Sequence, residues 1–288
     1  MASGPGGDGR CRDRWQAQHN LDRAGPTRVA GVKISLRQIR SQPLRPHLRL
    51  RVMATSPAAA SNRDDRCPPQ VRGVALDMDG LLFDTERLYW QVGQRLLQRR
   101  DRQFCGQLQQ RMMGRIGVAA MQQMIEFHGL DDDPQDLLAE SNAIYSRLLG
   151  DGPDPMPGLD QLIDQLTRLQ LPFGVATSSK RIFAERILQA QPWYDQLQFL
   201  LTGDDVRHGK PHPEMYLTAA AQLQIPAHQM LVLEDSSNGA AAAVAAGAIV
   251  IAVPAGATAD QPFDRIFASA RSLADPVITR TLRGTLWD

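Results

Sequence analysis

Polar side chains capable of chemistry occur at four places in this chain, three of them directly after an apolar run. Asp77 and Asp79 follow the apolar residues 74–76. A carboxylate can attack an electrophile, transfer a proton or bind a hard cation, whereas hydroxyl groups and lysine bind anions such as phosphate. The other three places supply both kinds of group: Thr177, Ser178, Lys210, Glu234 and Asp235. Together they cover what phosphate-ester chemistry needs: a nucleophile, a proton donor, a cation and donors to phosphoryl oxygens.

The order of these groups indicates a family. Residues 77–86, Asp-Met-Asp-Gly-Leu-Leu-Phe-Asp-Thr-Glu, resemble the first motif of the haloacid dehalogenase-like phosphohydrolases, and residues 176–179, 208–213 and 234–239 resemble its later motifs. Taken alone, an Asp before a helix is often an N-cap, and a lysine between glycine and proline is often a solvated turn residue. The four motifs in the family's order carry the identification. Within the family, the resemblance is to the subgroup with an α-helical cap, which includes pseudouridine-5′-phosphatase, sugar-phosphate phosphatases and β-phosphoglucomutase.

The resemblance implies a role for each motif residue. Asp77 would be the nucleophile that becomes an aspartyl-phosphate, and Asp79 the general acid and base. The Thr177 hydroxyl and the Ser178 backbone N–H would bind phosphoryl oxygens, and Lys210 would neutralise Asp77 and the phosphate. Mg²⁺ is the implied cofactor, because hard cations prefer oxygen ligands. Its expected ligands are Asp77, the backbone carbonyl of Asp79, Asp235, and Glu234 either directly or through water.

The elements that must position these groups form an α/β pattern. Short apolar runs predict parallel strands at 71–77, 172–177, 199–202, 230–234 and 249–253, with helical stretches between them. We therefore expect a Rossmann-like three-layer α/β/α core from residues 71–87 and 156–288. Residues 88–155 show helical periodicity alone and predict an inserted α-helical cap. Their methionine-rich stripe is interpreted as cap core rather than as a ligand surface.

Composition sets the class of protein and its partners. A hydrophobic content of 43% and mixed charge are typical of a soluble globular enzyme. Three widely spaced cysteines support neither a disulfide framework nor a thiolate zinc site. Residues 71–288 carry 19 basic against 26 acidic residues, which argues against a nucleic-acid ligand for the core. The expected partner is a small phosphorylated metabolite, with no membrane, and the expected state is a cytoplasmic monomer.

The first 70 residues differ from the rest. They carry 13 Lys and Arg against 5 Asp and Glu, without sustained periodicity. We expect a disordered basic extension, or translated upstream sequence that precedes a true start at Met53. Two alternatives remain open at this stage. The segment could include an organelle transit peptide, which would change the compartment, or it could be an arm that binds nucleic acid.

Phosphatase activity is the favoured reading within the family, and a β-phosphoglucomutase-like activity is the alternative. The mutases resembled here carry a histidine in the first cap-linker helix, where this chain has Tyr89, and a basic pair in the cap. Met113 and Gly117 occupy those basic positions, so only Arg115 is near. Arg115 and Tyr89 are therefore the candidate substrate contacts, with His128 as a weaker one. A phosphonatase would need a cap lysine, and residues 88–156 contain none. A non-catalytic binding protein with a basic tail is the least favoured reading, because no catalytic motif is broken.

Overall fold

A six-stranded parallel sheet is the centre of the molecule. The computed structural model describes residues 70–113, 115, 117–150 and 152–284. The strands are β1 (Gly73–Leu76), β2 (Phe173–Ala176), β3 (Leu200–Leu201), β4 (Met230–Glu234), β5 (Ile249–Ala252) and β6 (Ala268–Ser269). Their order in the sheet is β3-β2-β1-β4-β5-β6. The strand order reverses beside β1, so the carboxyl ends of β1, β2 and β4 border one crevice, where open α/β sheets bind ligands.

Burial explains which strands the sequence predicts well. All residues of β1, β2, β4 and β5 are buried, as expected of strands that are covered on both faces. The predicted α/β class with a parallel sheet is therefore confirmed, and the five expected strands are present, most of them shorter than expected. The sixth strand, β6, was not predicted. It has only two residues, of which Ser269 is exposed, so no apolar run marks it.

Helices alone occupy the described part of the segment between β1 and β2. They are α1 (Glu86–Gln98), α2 (Gly106–Met112), α3 (Val118–His128), α4 (Pro134–Leu148) and, just before β2, α5 (Leu159–Arg168). Helix α1 packs on α4, which in turn packs on α3. The Asp133 side chain begins α4 by accepting from the backbone N–H groups of Gln135 and Asp136, with Pro134 in the first turn.

An ion-pair network joins the turn that follows α1 to α4 and to the loop before α4. The Arg100 guanidinium donates to Asp132, with its Nη2–Oδ1 distance at 2.6 Å, and to Glu140 at 2.9 Å. Arg100 and its two carboxylate partners are mostly shielded from water. The planar guanidinium donates in a fixed geometry, so it orients both carboxylates better than a lysine could.

The remaining helices cover the two faces of the sheet. They are α6 (Arg181–Leu188), α7 (Glu214–Gln222), α8 (Ser237–Ala245) and α9 (Pro276–Arg283). Helix α8 is rich in alanine, and its small buried side chains allow the backbone to come close to β4 and β5. Among the described residues, no helix is both long and apolar enough to cross a membrane. The expected extension at 1–70 lies outside the described residues, except for Gln70.

Replacing Leu162 by alanine tests the packing of α5. Leu162 is fully buried, so Leu162→Ala removes a packed side chain and leaves a cavity. We expect a loss of about 2–5 kcal/mol in the free energy of unfolding. Leu169, at the end of the same helix, is 37% exposed, and Leu169→Ala is the matched control, with an expected change of about 0.5 kcal/mol. Urea unfolding of both variants measures the difference. Equal losses would contradict the described packing of α5.

Candidate active site

The polar residues predicted from the sequence converge at the carboxyl edge of the sheet. Asp77 follows β1, Thr177 follows β2, and Glu234 is the last residue of β4. Because β1 pairs in parallel with both β2 and β4, the three strand ends lie side by side. The adjoining crevice has a volume of about 510 Å³. Its lining includes most of the predicted site residues: Asp77, Asp79, Tyr89, Arg115, Ser178, Lys210 and Asp235.

A buried lysine joins two carboxylates at the base of the crevice. Lys210 Nζ donates to Asp77 Oδ1, to Glu234 Oε1 at 2.6 Å and to the carbonyl oxygen of Ala176 at 3.0 Å. The lysine side chain is only 5% exposed. Burial opposes its charge, but the attraction of Asp77 and Glu234 is greater and holds the pKa of Lys210 well above its usual value. Lys210 is therefore a fixed positive charge beside Asp77.

Glu234 is held by donors on several sides and in turn holds Lys210. Its Oε1 also accepts from the Tyr216 hydroxyl at 2.6 Å, and its Oε2 accepts from the Ser236 backbone N–H at 3.2 Å and the Ser236 hydroxyl at 3.1 Å. The residue is completely buried. A Cβ at Gly239 would lie 1.8 Å from Glu234 Oε1, so only glycine fits there. These bonds orient Glu234 toward Lys210.

Asp79 has one anchored oxygen and one buried oxygen without a partner. Its Oδ2 accepts from the Thr177 and Ser179 hydroxyls, each at 2.8 Å. Its Oδ1 is buried and has no hydrogen-bond partner among the described residues. The Thr177 hydroxyl, predicted to bind a phosphoryl oxygen, is completely buried and donates to Asp79 here. Its binding of phosphate therefore remains a prediction.

The turn after Asp79 requires glycine. Gly80 has a φ of +77°, a conformation that side chains disfavour, and a Cβ there would lie 2.5 Å from Asp235 Oδ2. This close approach brings the Asp77–Asp79 turn against the end of β4. Asp235, 6% exposed, thereby becomes a neighbour of Asp77.

Three buried carboxylates could hold a cation. Oxygen atoms of Asp77, Glu234 and Asp235 lie within 4.8 Å of one another. Burial, opposed by Lys210 and reinforced by the other carboxylates, raises the pKa of Asp77 to about 7, and burial with the charge of Asp77 raises the pKa of Asp235. Three carboxylates share the single positive charge of Lys210, and such a dense set of hard oxygen donors with excess negative charge fits Mg²⁺. Glu234 already accepts several hydrogen bonds, so Asp77 and Asp235 are the better placed ligands.

The three candidates from the helical segment between β1 and β2 separate into two groups. Tyr89 and Arg115 line the crevice, and the Tyr89 hydroxyl lies 3.4 Å from Ser179 Oγ. His128 ends α3, and Gly129 follows it in the left-handed conformation. His128 is not among the residues that line the crevice, so the structure does not bring it to the site. Its placement agrees with a residue at a helix C-terminus.

Two residues that orient the site's carboxylates were not predicted from the sequence. Tyr216, on α7, donates a hydrogen bond to Glu234. Ser179 donates to Asp79; it belongs to the second motif but was given no role of its own. The loop that carries Lys210 is also held by Glu214, which accepts from the backbone N–H groups of Arg207 and His208 and from the His208 ring. These bonds lower the pKa of Glu214 to about 2.

The comparisons with known proteins agree with this geometry. The family described as "haloacid dehalogenase-like hydrolase" matches residues 71–247. A (DL)-glycerol-3-phosphatase of Arabidopsis thaliana, described as mitochondrial, is 30% identical over 89% of this chain and 93% of its own. A probable pseudouridine-5′-phosphatase of Drosophila melanogaster is 30% identical over 64% of this chain and 82% of its own. The β-phosphoglucomutase of Bacillus subtilis is 25% identical over 65% and 84%.

A solved structure has the same fold. The protein CbbY from Rhodobacter sphaeroides, in complex with phosphate, superposes with a TM-score of 0.62 at 23% identity. The match covers 71% of this chain and 96% of that one. The family resemblance inferred from the four sequence motifs is confirmed by these matches.

Removing the charge of Asp77 is expected to stabilise the metal-free protein. Because folding raises the pKa of Asp77 from 3.8 to about 7, the folded state binds more protons than the unfolded state between these values. The carboxylate therefore costs stability as pH rises through this range, on the order of 2–4 kcal/mol by pH 8. Asp77→Asn should unfold at a higher temperature than the wild type at pH 8 with a chelator, with little difference at pH 4.

Asp260→Asn changes an exposed carboxylate and is the control. It should leave the unfolding temperature unchanged at both pH 4 and pH 8. A stability of Asp77→Asn equal to or below that of the wild type at pH 8 would contradict the charge repulsion described here.

Proposed function

Because this chain belongs to the haloacid dehalogenase-like hydrolases, we propose that it is a Mg²⁺-dependent phosphatase that hydrolyses a small phosphomonoester through an aspartyl-phosphate on Asp77. One observation carries the proposal: Lys210 fixes the Asp77 carboxylate on the same crevice where Asp79 keeps a buried oxygen without a partner. The phosphatases among its relatives support the reaction class.

In the first half-reaction, an Asp77 carboxylate oxygen forms a bond to phosphorus while the bond from phosphorus to the ester oxygen breaks. Asp79 gives its proton to that departing oxygen, so an alcohol leaves. The positive charge of Lys210 offsets the charge of the phosphoryl group and keeps the Asp77 carboxylate in one orientation. The product is an acyl phosphate on Asp77.

In the second half-reaction, Asp79 accepts a proton from a water molecule as that water attacks phosphorus. The bond between phosphorus and Asp77 breaks, inorganic phosphate leaves, and both carboxyl groups return to their initial states. The anchoring of Asp79 Oδ2 by two hydroxyl groups leaves Oδ1 as the atom that carries the proton in both steps.

Asp77 and Asp235 would hold the Mg²⁺ ion, which, when bound, supplies further positive charge to the phosphoryl oxygens. We propose that residues 88–155 act as a cap that covers the crevice during turnover and opens to release the product. The working unit in this proposal is a monomer acting on a small phosphorylated metabolite in the cytoplasm. A mitochondrial relative supports an organelle as the alternative compartment.

A phosphosugar mutase is the second candidate, supported by the similarity to a β-phosphoglucomutase. A mutase must hold a bisphosphate, so it needs cations for both phosphate groups. Besides Lys210, the only Lys or Arg in the described lining of the crevice is Arg115. Hydrolysis needs only one phosphate site, so hydrolysis is favoured over phosphoryl transfer.

Replacing either carboxylate should stop or slow turnover. We expect Asp77→Asn to release no phosphate above background, because the nucleophile is lost. We expect Asp79→Asn to lower kcat by about 10²–10⁴-fold, the usual effect of losing a general acid and base. Phosphate release from sugar and polyol phosphates, with Mg²⁺ and with a chelator, measures both.

The same assay with β-glucose 1-phosphate and a trace of the 1,6-bisphosphate separates hydrolysis from transfer. Phosphate release without glucose 6-phosphate supports the phosphatase, and faster formation of glucose 6-phosphate would identify a mutase. Activity of Asp77→Asn near that of the wild type would refute both readings.

Ser179→Ala tests the anchoring of Asp79. The variant loses one of the two hydroxyl donors to Oδ2, so Asp79 becomes less well oriented. We expect kcat to fall about tenfold with KM nearly unchanged, the scale of one hydrogen bond to a charged group. Ser178→Ala, at the adjacent position, keeps both donors and should retain kcat within about twofold. Equal effects of the two substitutions would show that Ser179 has no positioning role.

A further inference from the structure

A second cavity, here called the apolar chamber, opens from the crevice and extends among the helices between β1 and β2. Its volume is about 390 Å³. The crevice and the chamber share part of their lining, including Asp79, Tyr89 and Met113, so the chamber begins next to the proposed acid and base. A group attached to the departing ester oxygen can therefore extend into it.

Most of the lining of the apolar chamber consists of apolar side chains, and Gln109, Ser141, Asn142 and Tyr145 add polar groups away from the crevice. The apolar members come from α1 to α4 and the loops between them: Leu96, Phe104, Met112, Met121, Met124 and Leu138. Leu96 is completely buried and Met124 is 1% exposed. Of the four charged residues in the described lining, Asp79, Glu86 and Arg115 also line the crevice, and the fourth, Lys180, directly follows Ser179. The chamber is therefore mainly apolar, with a minority of polar side chains.

The methionine stripe has a second role here. The sequence predicted that this stripe forms the core of the cap, and Met121 and Met124 are indeed buried and packed among other hydrophobic side chains. Both also face the apolar chamber. Protein interiors contain few voids larger than a water molecule, so a chamber of this size beside the active site is unusual for core packing alone. Flexible thioether side chains adapt to ligands of varied shape.

Besides Asp79 Oδ1, two buried polar groups in the lining of the chamber have no hydrogen-bond partner among the described residues: Trp90 Nε1 and the Tyr145 hydroxyl. The Trp90 ring lines the chamber and meets Phe104 edge to face, with 5.1 Å between ring centroids. A buried N–H without an acceptor is costly, so a ligand that supplies one acceptor would be favoured. A sugar has several hydroxyl groups, and those that lie against the apolar part of the lining would be desolvated and unpaired.

We propose that the apolar chamber binds the leaving group, and that the substrate is a phosphomonoester of a largely apolar alcohol. This inference rests on the proposed phosphatase function and adds the substrate class. The phosphoryl group remains in the crevice with Lys210, and the apolar part of the alcohol fills the chamber. Burial of its surface favours longer or bulkier apolar esters.

A series of alkyl phosphates isolates this effect. Ethyl, butyl and hexyl phosphate and glycerol 3-phosphate all release primary alcohols, so the intrinsic reactivity of the ester differs little among them. We expect kcat/KM to rise at least tenfold from ethyl to hexyl phosphate, and hexyl phosphate to exceed glycerol 3-phosphate by a similar factor. A flat series, or a preference for glycerol 3-phosphate, would overturn the proposal.

A pair of substitutions on α3 locates the effect in the chamber. Ala120 is buried and lines the chamber, whereas Ala119, on the same helix, is exposed. We expect Ala120→Leu to reduce kcat/KM for hexyl phosphate about tenfold and to leave ethyl phosphate within twofold. Ala119→Leu should change neither substrate. Equal losses for both esters in Ala120→Leu would contradict binding in the chamber.

A binding measurement separates this inference from the proposed function. Calorimetry can measure the binding of 1-hexanol to the wild type, Ala119→Leu and Ala120→Leu, and this measurement does not depend on catalysis. It still tests binding in the chamber if Ala120→Leu is unstable. In that case, binding to the wild type is compared with binding of glycerol, which the chamber should exclude. If no ester is hydrolysed, the phosphatase proposal fails, and hexanol binding still decides the chamber. Hydrolysis without hexanol binding would refute the chamber alone.

Discussion

The site depends on one buried positive charge. Lys210 is shielded from water and lies between Asp77 and Glu234, in surroundings where an unpaired charge would be costly. Several elements of the structure hold the carboxylate partners of Lys210 in place. Tyr216 and Ser236 fix Glu234, and Gly239 allows the backbone of α8 to approach it. The orientation of Asp77 therefore follows from a network that extends through β4, α7 and α8.

The two aspartates of the first motif differ because their surroundings differ. Asp77 shares its space with a lysine and two further carboxylates, which suits a nucleophile next to a cation. Asp79 instead meets two neutral hydroxyl donors on one oxygen and no described partner on the other. The oxygen without a partner is the one that can exchange a proton with a substrate or a water molecule in the proposed reaction. Two residues apart in the chain, the carboxyl groups thus occupy different electrostatic environments, and the strand-to-turn geometry after β1 separates them.

The sequence predicted those features that depend on local pattern. Apolar runs identified β1, β2, β4 and β5, and the parallel arrangement then required Asp77, Thr177 and Glu234 to meet. Strand β6 was missed because two residues, one of them exposed, carry no pattern. The role of Tyr216 was missed for another reason: its partner is 18 residues away on another element, and helical periodicity indicates only that the side chain is buried. Periodicity likewise marked Met121 and Met124 as inward-facing, but it cannot show that an inward face borders a cavity.

The division between crevice and apolar chamber bears on the choice between hydrolysis and phosphoryl transfer. A mutase must bind its intermediate in two orientations, and in each one the distal phosphate occupies the space where the leaving group of a hydrolase would lie. In our proposal that space is the apolar chamber, whose lining is mostly apolar and in which three of the four charged residues also line the crevice. Arg115 and Lys180 are the only Lys or Arg in the described lining of the chamber. Transfer of a phosphate dianion away from them, against the apolar side chains, is strongly unfavourable. An apolar alcohol meets no such penalty, so the same wall that disfavours a bisphosphate favours release of an apolar product after hydrolysis.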